Sequence, residues 1–450
     1  MSQAMYLYRA NIAHFPTQTQ TPERDVCAID DGALVVQDTT IVAVGSYIDM
    51  HALYPQAQVV DYRGRLLVPG FIDSHVHYAQ TEMIAQYGEQ LLDWLTQYTF
   101  PTEQKFTDPA YCEQIAGIFL RQLIANGTTT ALAFATVHPQ SVDALFYAAS
   151  RLNMALISGK VCMDRHSPID LQDTAESAQR DSADLITKWH GKNRCLYAIT
   201  PRFAPTSSPN QLAALGELAQ QHPNVFIQTH LSENASEVAW VKALYPEHDS
   251  YLDVYAHYGL VRKRAVFGHS LHLEPHDWAQ LAGASATIAF CPSSNLFLGS
   301  GLFDLTAAQA HGVHIGLASD VGAGTSFNML RTYGDAYKIC QLKQTTMDPF
   351  AGLYAMTQGP AVAYDLAHTI GNLNPGTHAD FVILNPAFNE LSALRTRPAS
   401  LDESAQHTYT QQHSDTLFAL SMIGDDRAVE ATYIAGTQQK HALEKQNALA

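Results

Sequence analysis

Two histidines two positions apart, His75 and His77 in PGFIDSHVHYAQ (69–80), close an apolar run of strand length. On a strand, residues two apart share a face, so both imidazoles would point to the same side. Neutral imidazole is a good zinc ligand. With 21 histidines in 450 residues, chance supplies about one such pair, so its meaning depends on what accompanies it. Three later runs end in a similar way. His230 closes VFIQTH and is followed three residues on by Glu233; His269 lies at the end of AVFGHS; Asp320 ends VHIGLASD, just before Gly322 and Gly324. Each has a structural reading when taken singly, since an aspartate after a strand commonly caps a helix or shapes a turn. Jointly they put metal- and proton-competent groups at successive strand ends, a set suited to activating water for hydrolysis.

The elements that must position these groups follow from the apolar patterning. Eight runs of strand length recur between Leu66 and about residue 370: 66–73, 128–135, 154–161, 196–200, 225–230, 265–270, 286–290 and 313–320. Helix-like segments separate them, including CEQIAGIFLRQLIANG, which closes on Gly127 as a helix C-terminus would. Strands alternating with helices in this number predict an α/β fold, a (β/α)8 TIM-like barrel, whose active site lies at the C-terminal ends of the strands. The first 68 residues read differently. Ala33–Val36, Thr40–Gly45 and Gln58–Tyr62 are short strand-like pieces between turns, and ADFVILN (379–385) and VEATYIAG (429–436) restore that character after Gly371. The expected division is therefore 1–68 and 371–450 forming one sheet domain beside a 69–370 barrel. The polar stretch near 387–413 reads as a loop or extended excursion.

Composition narrows the function classes. Hydrophobic residues make up 46% and charged residues 15% of the chain, which fits a packed enzyme rather than a disordered regulator. A formal net charge of −17 argues against nucleic acid as a partner and favours a small molecule. The N-terminus has neither the basic start nor the apolar stretch of a secretory signal, and no run approaches the roughly 18–20 residues of a membrane span. The six cysteines are widely spaced with no CxxC pair, as expected of reduced, buried thiols in a cytoplasmic protein.

Larger motifs narrow the chemistry further. PGFIDSHVHYAQ, YGEQLLDWLTQYTFPTE, YAITPRFAPTSS, THLSEN, FCPSSNLFLGSGLF, SDVGAGTSFNML and GNLNPGTHADFVIL stand between about residues 66 and 385. Through them the chain resembles the amidohydrolase superfamily, and PRFAPTSS, YTFPTE and HVHYAQ together resemble its guanine deaminase branch. The resemblance implies a barrel flanked by a small β-sandwich, one catalytic zinc per subunit, a homodimer, and hydrolysis of guanine to xanthine and ammonia. It implies His75, His77, His230 and Asp320 as zinc ligands, Glu233 as proton shuttle and His269 as a partner of the attacking water or leaving group. Gln80, Arg202 and Phe203 would hold the purine, with His230, Glu233 and Asp320 also facing it. The residue types suit those roles: Arg202 offers a planar fork of donors and Phe203 an aromatic face. Trp94 could help close the pocket or simply belong to the core.

Other readings meet obstacles in the residues themselves. His272-Leu273-Glu274 has the HxE form of cytidine-type deaminases, but no PCxxC follows. A two-metal ring-opening hydrolase would need a bridging lysine at the end of the fourth strand. Lys160 is the nearest, yet Val161, Cys162 and Met163 follow it, so it reads as interior. Deamination of another base on the same metal site, and a metal-free scaffold, complete the alternatives.

Overall fold

A computed structural model of the chain describes residues 4–88, 90–397 and 409–440. Two sheets organise it. In chain order the strands are β1 (Met5–His14), β2 (Cys27–Gln37), β3 (Thr40–Ser46), β4 (Gln58–Pro69), β5 (Phe71–His77), β6 (Thr128–Phe134), β7 (Ala155–Gly159) and β8 (Val161–Cys162). They continue with β9 (Cys195–Pro201), β10 (Phe226–Leu231), β11 (Ala265–His269), β12 (Thr287–Phe290), β13 (His314–Leu317), β14 (Phe381–Leu384), β15 (Val429–Ile434) and β16 (Thr437–Gln438).

The eight strands of the barrel stand in the order β13-β12-β11-β10-β9-β7-β6-β5, with β8 pairing alongside β9. Their pairings are parallel, and helices such as Pro109–Ala125 and Pro209–Gln221 lie between them in sequence. The first of these helices ends at Ala125 with Asn126 as its C-cap, and Gly127 follows at a φ of 85°. A side chain is disfavoured in that left-handed conformation, which is why glycine stops the helix there. The ring closes at the functional end: the Asp320 N–H donates to the His75 carbonyl at 2.9 Å, and the His77 N–H donates to the Val321 carbonyl at 2.7 Å.

Inside the barrel Ile72, Leu132, Ile157, Ala198, Phe226, Val266 and Ala289, one from each of seven consecutive barrel strands, pack together below the site. These side chains are essentially inaccessible to water. Burying each of the larger ones contributes roughly 1.5–3 kcal/mol, so the floor is a packed layer and not a channel. A larger apolar layer fills the space between the strands and the surrounding helices.

The second sheet has seven strands in the order β16-β15-β14-β4-β1-β2-β3, so segments from both ends of the chain share it. Two sequence expectations need correction. The apolar run 66–73 is not one barrel strand. Its first part ends β4, where Pro69 pairs with Phe381 of the terminal sheet, and the barrel strand starts at Phe71. The run is apolar because the last four residues of β4 and all of β5 are buried, so hydrophobicity alone does not mark the change of sheet at Gly70. The polar stretch 387–413 also holds helical structure, Glu390–Arg395 and the start of Tyr409–Ile423, with 398–408 outside the described residues. The first of these helices is set by Asn389 and Ser392, which cap it reciprocally.

Candidate active site

Every residue singled out for chemistry lies at the C-terminal end of a barrel strand or in the loop that follows. His75 and His77 end β5, Arg202 and Phe203 follow β9, His230 sits near the end of β10 and Glu233 just beyond it. His269 ends β11 and Asp320 follows β13. Several of these turns are backbone-strained. Ser232, His269 and Asp320 have φ values of 49°, 67° and 50°, a region that costs a non-glycine residue on the order of 1–3 kcal/mol and is tolerated where neighbours hold it.

Four side chains converge. His77 Nε2 lies 3.2 Å from both His75 Nε2 and His230 Nε2, and Asp320 Oδ1 lies 3.3 Å from the Nε2 atoms of His75 and His77. Zinc bonds of about 2.0–2.1 Å in tetrahedral geometry separate neighbouring ligand atoms by roughly 3.3 Å, which is the spacing seen here. Protonation supports the fit. His230 Nδ1 is 2.7 Å from the Arg202 carbonyl, which can only accept, so Nδ1 carries the proton and Nε2 presents a lone pair. Burial, reinforced by neighbouring His75 and His77, holds the His230 imidazole well below the usual histidine range, and burial lowers His77 to about 3. The Nδ1 atom of His75 is buried without a partner. The donor set thus suits a divalent ion: neutral imidazoles and one carboxylate whose mutual contacts are poorly satisfied as hydrogen bonds. Phe134, at the end of β6, lies under them, its ring centroid 4.7–4.9 Å from those of His75, His77 and His230.

The proton-transfer candidates flank this cluster. His269 Nε2 lies 3.3 Å from Glu233 Oε2 and 3.7 Å from Asp320 Oδ2, with Nδ1 held 2.9 Å from Asn295 Oδ1. Burial pushes the Glu233 carboxyl well above its ordinary range, and the charges of Asp320 and Glu237 add to that. Cys291 Sγ is brought beside His75, His269 and Asp320; from the sequence it reads only as one of the buried thiols, and it is free and buried.

A cavity opens in front of these groups, lined by His77, Gln80, Trp94, Arg202, Phe203, His230, Glu233, His269 and Asp320 among others. Trp94 therefore serves both readings: it lines the cavity and is also buried, packed against Tyr98 and Phe297. Lys160 lies elsewhere. Its ammonium pairs with buried Asp173 and also donates to the Val161 carbonyl at 3.2 Å, so it is engaged in a structural ion pair rather than facing the cluster.

Several supporting residues escape the sequence reading. Asp73 accepts from the backbone N–H groups of His75 and Ser319, tying β5 to the segment that carries Asp320. Glu237 accepts from the backbone N–H of Glu233 at 2.8 Å and of Asn234 at 3.1 Å, and from the Tyr251 hydroxyl at 2.8 Å. The Asn234…Glu237 spacing is a capping-box signal that could have found it. Glu103, inside YTFPTE, binds the Arg202 guanidinium; a long-range pairing of this kind leaves no local pattern.

Known proteins share this chain's sequence pattern and fold. The model of the amidohydrolase family matches residues 66–438. Guanine deaminase of Escherichia coli is 48% identical over 409 residues, covering 91% of each chain. The solved structure of E. coli guanine deaminase superposes with a TM-score of 0.91 at 46% identity, covering 96% of this chain and 99% of that one. That of guanine deaminase from C. acetobutylicum, with guanine bound in its active site, gives a TM-score of 0.85 at 26% identity, covering 96% and 99%. The chain belongs to the amidohydrolase family, and within it stands with the guanine deaminases.

Proposed function

We propose that this protein hydrolyses guanine to xanthine and ammonia. The observation that carries the reading is the meeting, in one cavity, of a metal-competent cluster with an arginine fork, a glutamine amide and a carboxyl–imidazole pair. His75, His77, His230 and Asp320 would hold one zinc ion per subunit, which supplies a water acidic enough to ionise near neutral pH. Glu233 accepts a proton from the attacking water and returns it to the ring nitrogen beside C2 as that carbon becomes tetrahedral. A C–O bond forms at C2, the proton left on the new hydroxyl passes to the exocyclic amino group, the bond from C2 to that nitrogen breaks, and ammonia leaves as C2 becomes a carbonyl. His269, between Glu233 and Asp320, orients the groups that exchange protons. Arg202 and Gln80 hold the polar edge of the purine, and Phe203 lies against its ring.

In this account the chemistry lies within residues 69–370, and the flanking sheet domain draws its strands from within 1–68 and 371–450. We place the protein in the cytoplasm, supported by six cysteines without a disulfide among them. No helix among the described residues is long and apolar enough to cross a membrane. We assign a homodimer on the family resemblance; light scattering on purified protein tests it. The substrate assignment is tested by measuring ammonia release from a panel of purines and pyrimidines. Guanine should exceed adenine, cytosine and 8-oxopurines by at least 100-fold in kcat/KM. Preference for any other base overturns the assignment.

A further inference from the structure

Behind the cavity wall, one carboxylate organises the two polar side chains that face the substrate. Glu103 lies in the short helix Phe100–Glu103, is 1% exposed, and does not itself line the cavity. Both its oxygens accept from Arg202 Nη1, at 2.9 and 2.8 Å, and its Oε1 also accepts from Gln80 Nε2 at 3.3 Å. We propose that Glu103 is a positioning residue that sets the specificity of the site for a cyclic lactam, a ring carbonyl next to a ring N–H.

A carboxylate flanked by two donors can only accept. Gln80 must therefore turn its NH2 toward Glu103, which fixes the amide and presents Oε1 as the acceptor on the cavity side. Arg202 spends only Nη1 on Glu103. Its Nε and Nη2 donate to no described residue, and the side chain lines the cavity. The guanidinium is also steadied over the Phe100 ring, 5.6 Å from its centroid. The wall thus shows arginine donors beside a glutamine acceptor, the complement of a carbonyl beside an N–H. A base with an amino group next to an unprotonated ring nitrogen presents the inverse pattern and leaves both wall groups unpaired, which is a strong basis for rejection. Without Glu103 the amide could flip and the fork could swing, and the pattern would be lost although every cavity-lining residue remained.

This inference rests on the proposed deaminase reading. The test uses the full-length, zinc-loaded protein and its Glu103→Gln variant. Calorimetric affinities are measured for hypoxanthine, which carries the lactam, and for purine, which does not; kcat and KM are measured for guanine. The expected result is a loss of at least 10-fold in hypoxanthine affinity with purine held within twofold, and a guanine KM that rises by a similar factor. Glu103→Asp, which keeps the charge and withdraws it by one methylene, should fall between wild type and Glu103→Gln, and it carries the test if the glutamine variant does not fold. Equal weakening of hypoxanthine and purine would show a merely structural role and overturn the inference. So would unchanged hypoxanthine binding. A wild-type protein that prefers hypoxanthine to purine but releases no ammonia from guanine would refute the deaminase reading while leaving the role of Glu103 standing.

Discussion

Substituting Gly268 by alanine should loosen the metal site without disturbing the fold. Gly268 lies on β11, pairs with His230 of β10, and has a backbone conformation that alanine can adopt. A Cβ placed there falls 2.9 Å from His75 Cε1 and 3.1 Å from His75 Nδ1. Carbon atoms in good contact are about 3.5–4.0 Å apart, so the imidazole must retreat by roughly 0.6 Å or more. It has little room, being fully buried with the Phe134 ring centroid 4.8 Å from its own. Metal–ligand distances tolerate only about 0.2 Å, and disturbing the support of a ligand typically costs 10–100-fold in affinity. We expect zinc affinity to fall at least 10-fold, about 1.4 kcal/mol, with overpacking costing roughly 1–3 kcal/mol of stability. Competition against a chelator of known affinity measures the first quantity, and urea unfolding of the metal-free protein the second. Gly283, an exposed helix-end residue where an added Cβ would meet nothing within 4 Å, is the control: its alanine variant should match wild type in zinc affinity. Zinc affinity within twofold of wild type in Gly268→Ala would refute the reasoning that places His75 in the metal site against this glycine.

Three further outcomes are expected. Glu233→Gln should keep its zinc, by elemental analysis, while kcat on guanine falls by about 10²–10⁴-fold; an active variant would remove Glu233 from proton transfer. Lys160→Met removes the counter-charge of Asp173, leaving that carboxylate held only by Gln211 Nε2 and the Met163 N–H; it should cost about 3–5 kcal/mol in urea unfolding, yet zinc content per folded chain and kcat should stay at wild-type levels. Loss of metal with the fold intact would instead favour a bridging lysine. Burial in β1 lowers the His14 pKa to about 4, below the unfolded value near 6.5. The unfolded chain therefore binds a proton first as pH falls. The stability that neutral His14 secures is complete above pH 6.5 and declines toward pH 4, by roughly 3 kcal/mol in all. His14→Leu should gain on wild type progressively over that window; parallel stability profiles would contradict it.

The strand ends were legible because buried parallel strands read as continuous apolar runs, and a polar residue that closes such a run stands out. His75, His77, His230, His269 and Asp320 were all found in that way, and the alternation of runs with helices predicted the barrel. What sequence patterning missed depends on contacts between distant positions. Glu103 meets Arg202 across 99 residues of chain and Asp73 meets Ser319 across 246, and neither pairing leaves a local trace. The division between β4 and β5 was hidden for a different reason: the buried end of β4 and the fully buried β5, in different sheets, follow one another with only Gly70 between them. Phe134 lies in a run whose every residue is buried, so nothing in the sequence separates its contact with three imidazoles from ordinary core packing. Arg202, Gln80 and Phe203 stood out only through family resemblance, and their meeting at one cavity is what the fold adds.

Hydrolytic deamination of guanine at one metal-dependent site requires that the new oxygen of xanthine come from water. Its most direct test incubates guanine with folded, zinc-loaded protein in ¹⁸O-labelled water and follows xanthine by mass and ammonia by titration. One xanthine per ammonia, each xanthine carrying one labelled oxygen, is the predicted result. Folded, zinc-loaded protein that forms neither product would contradict the account.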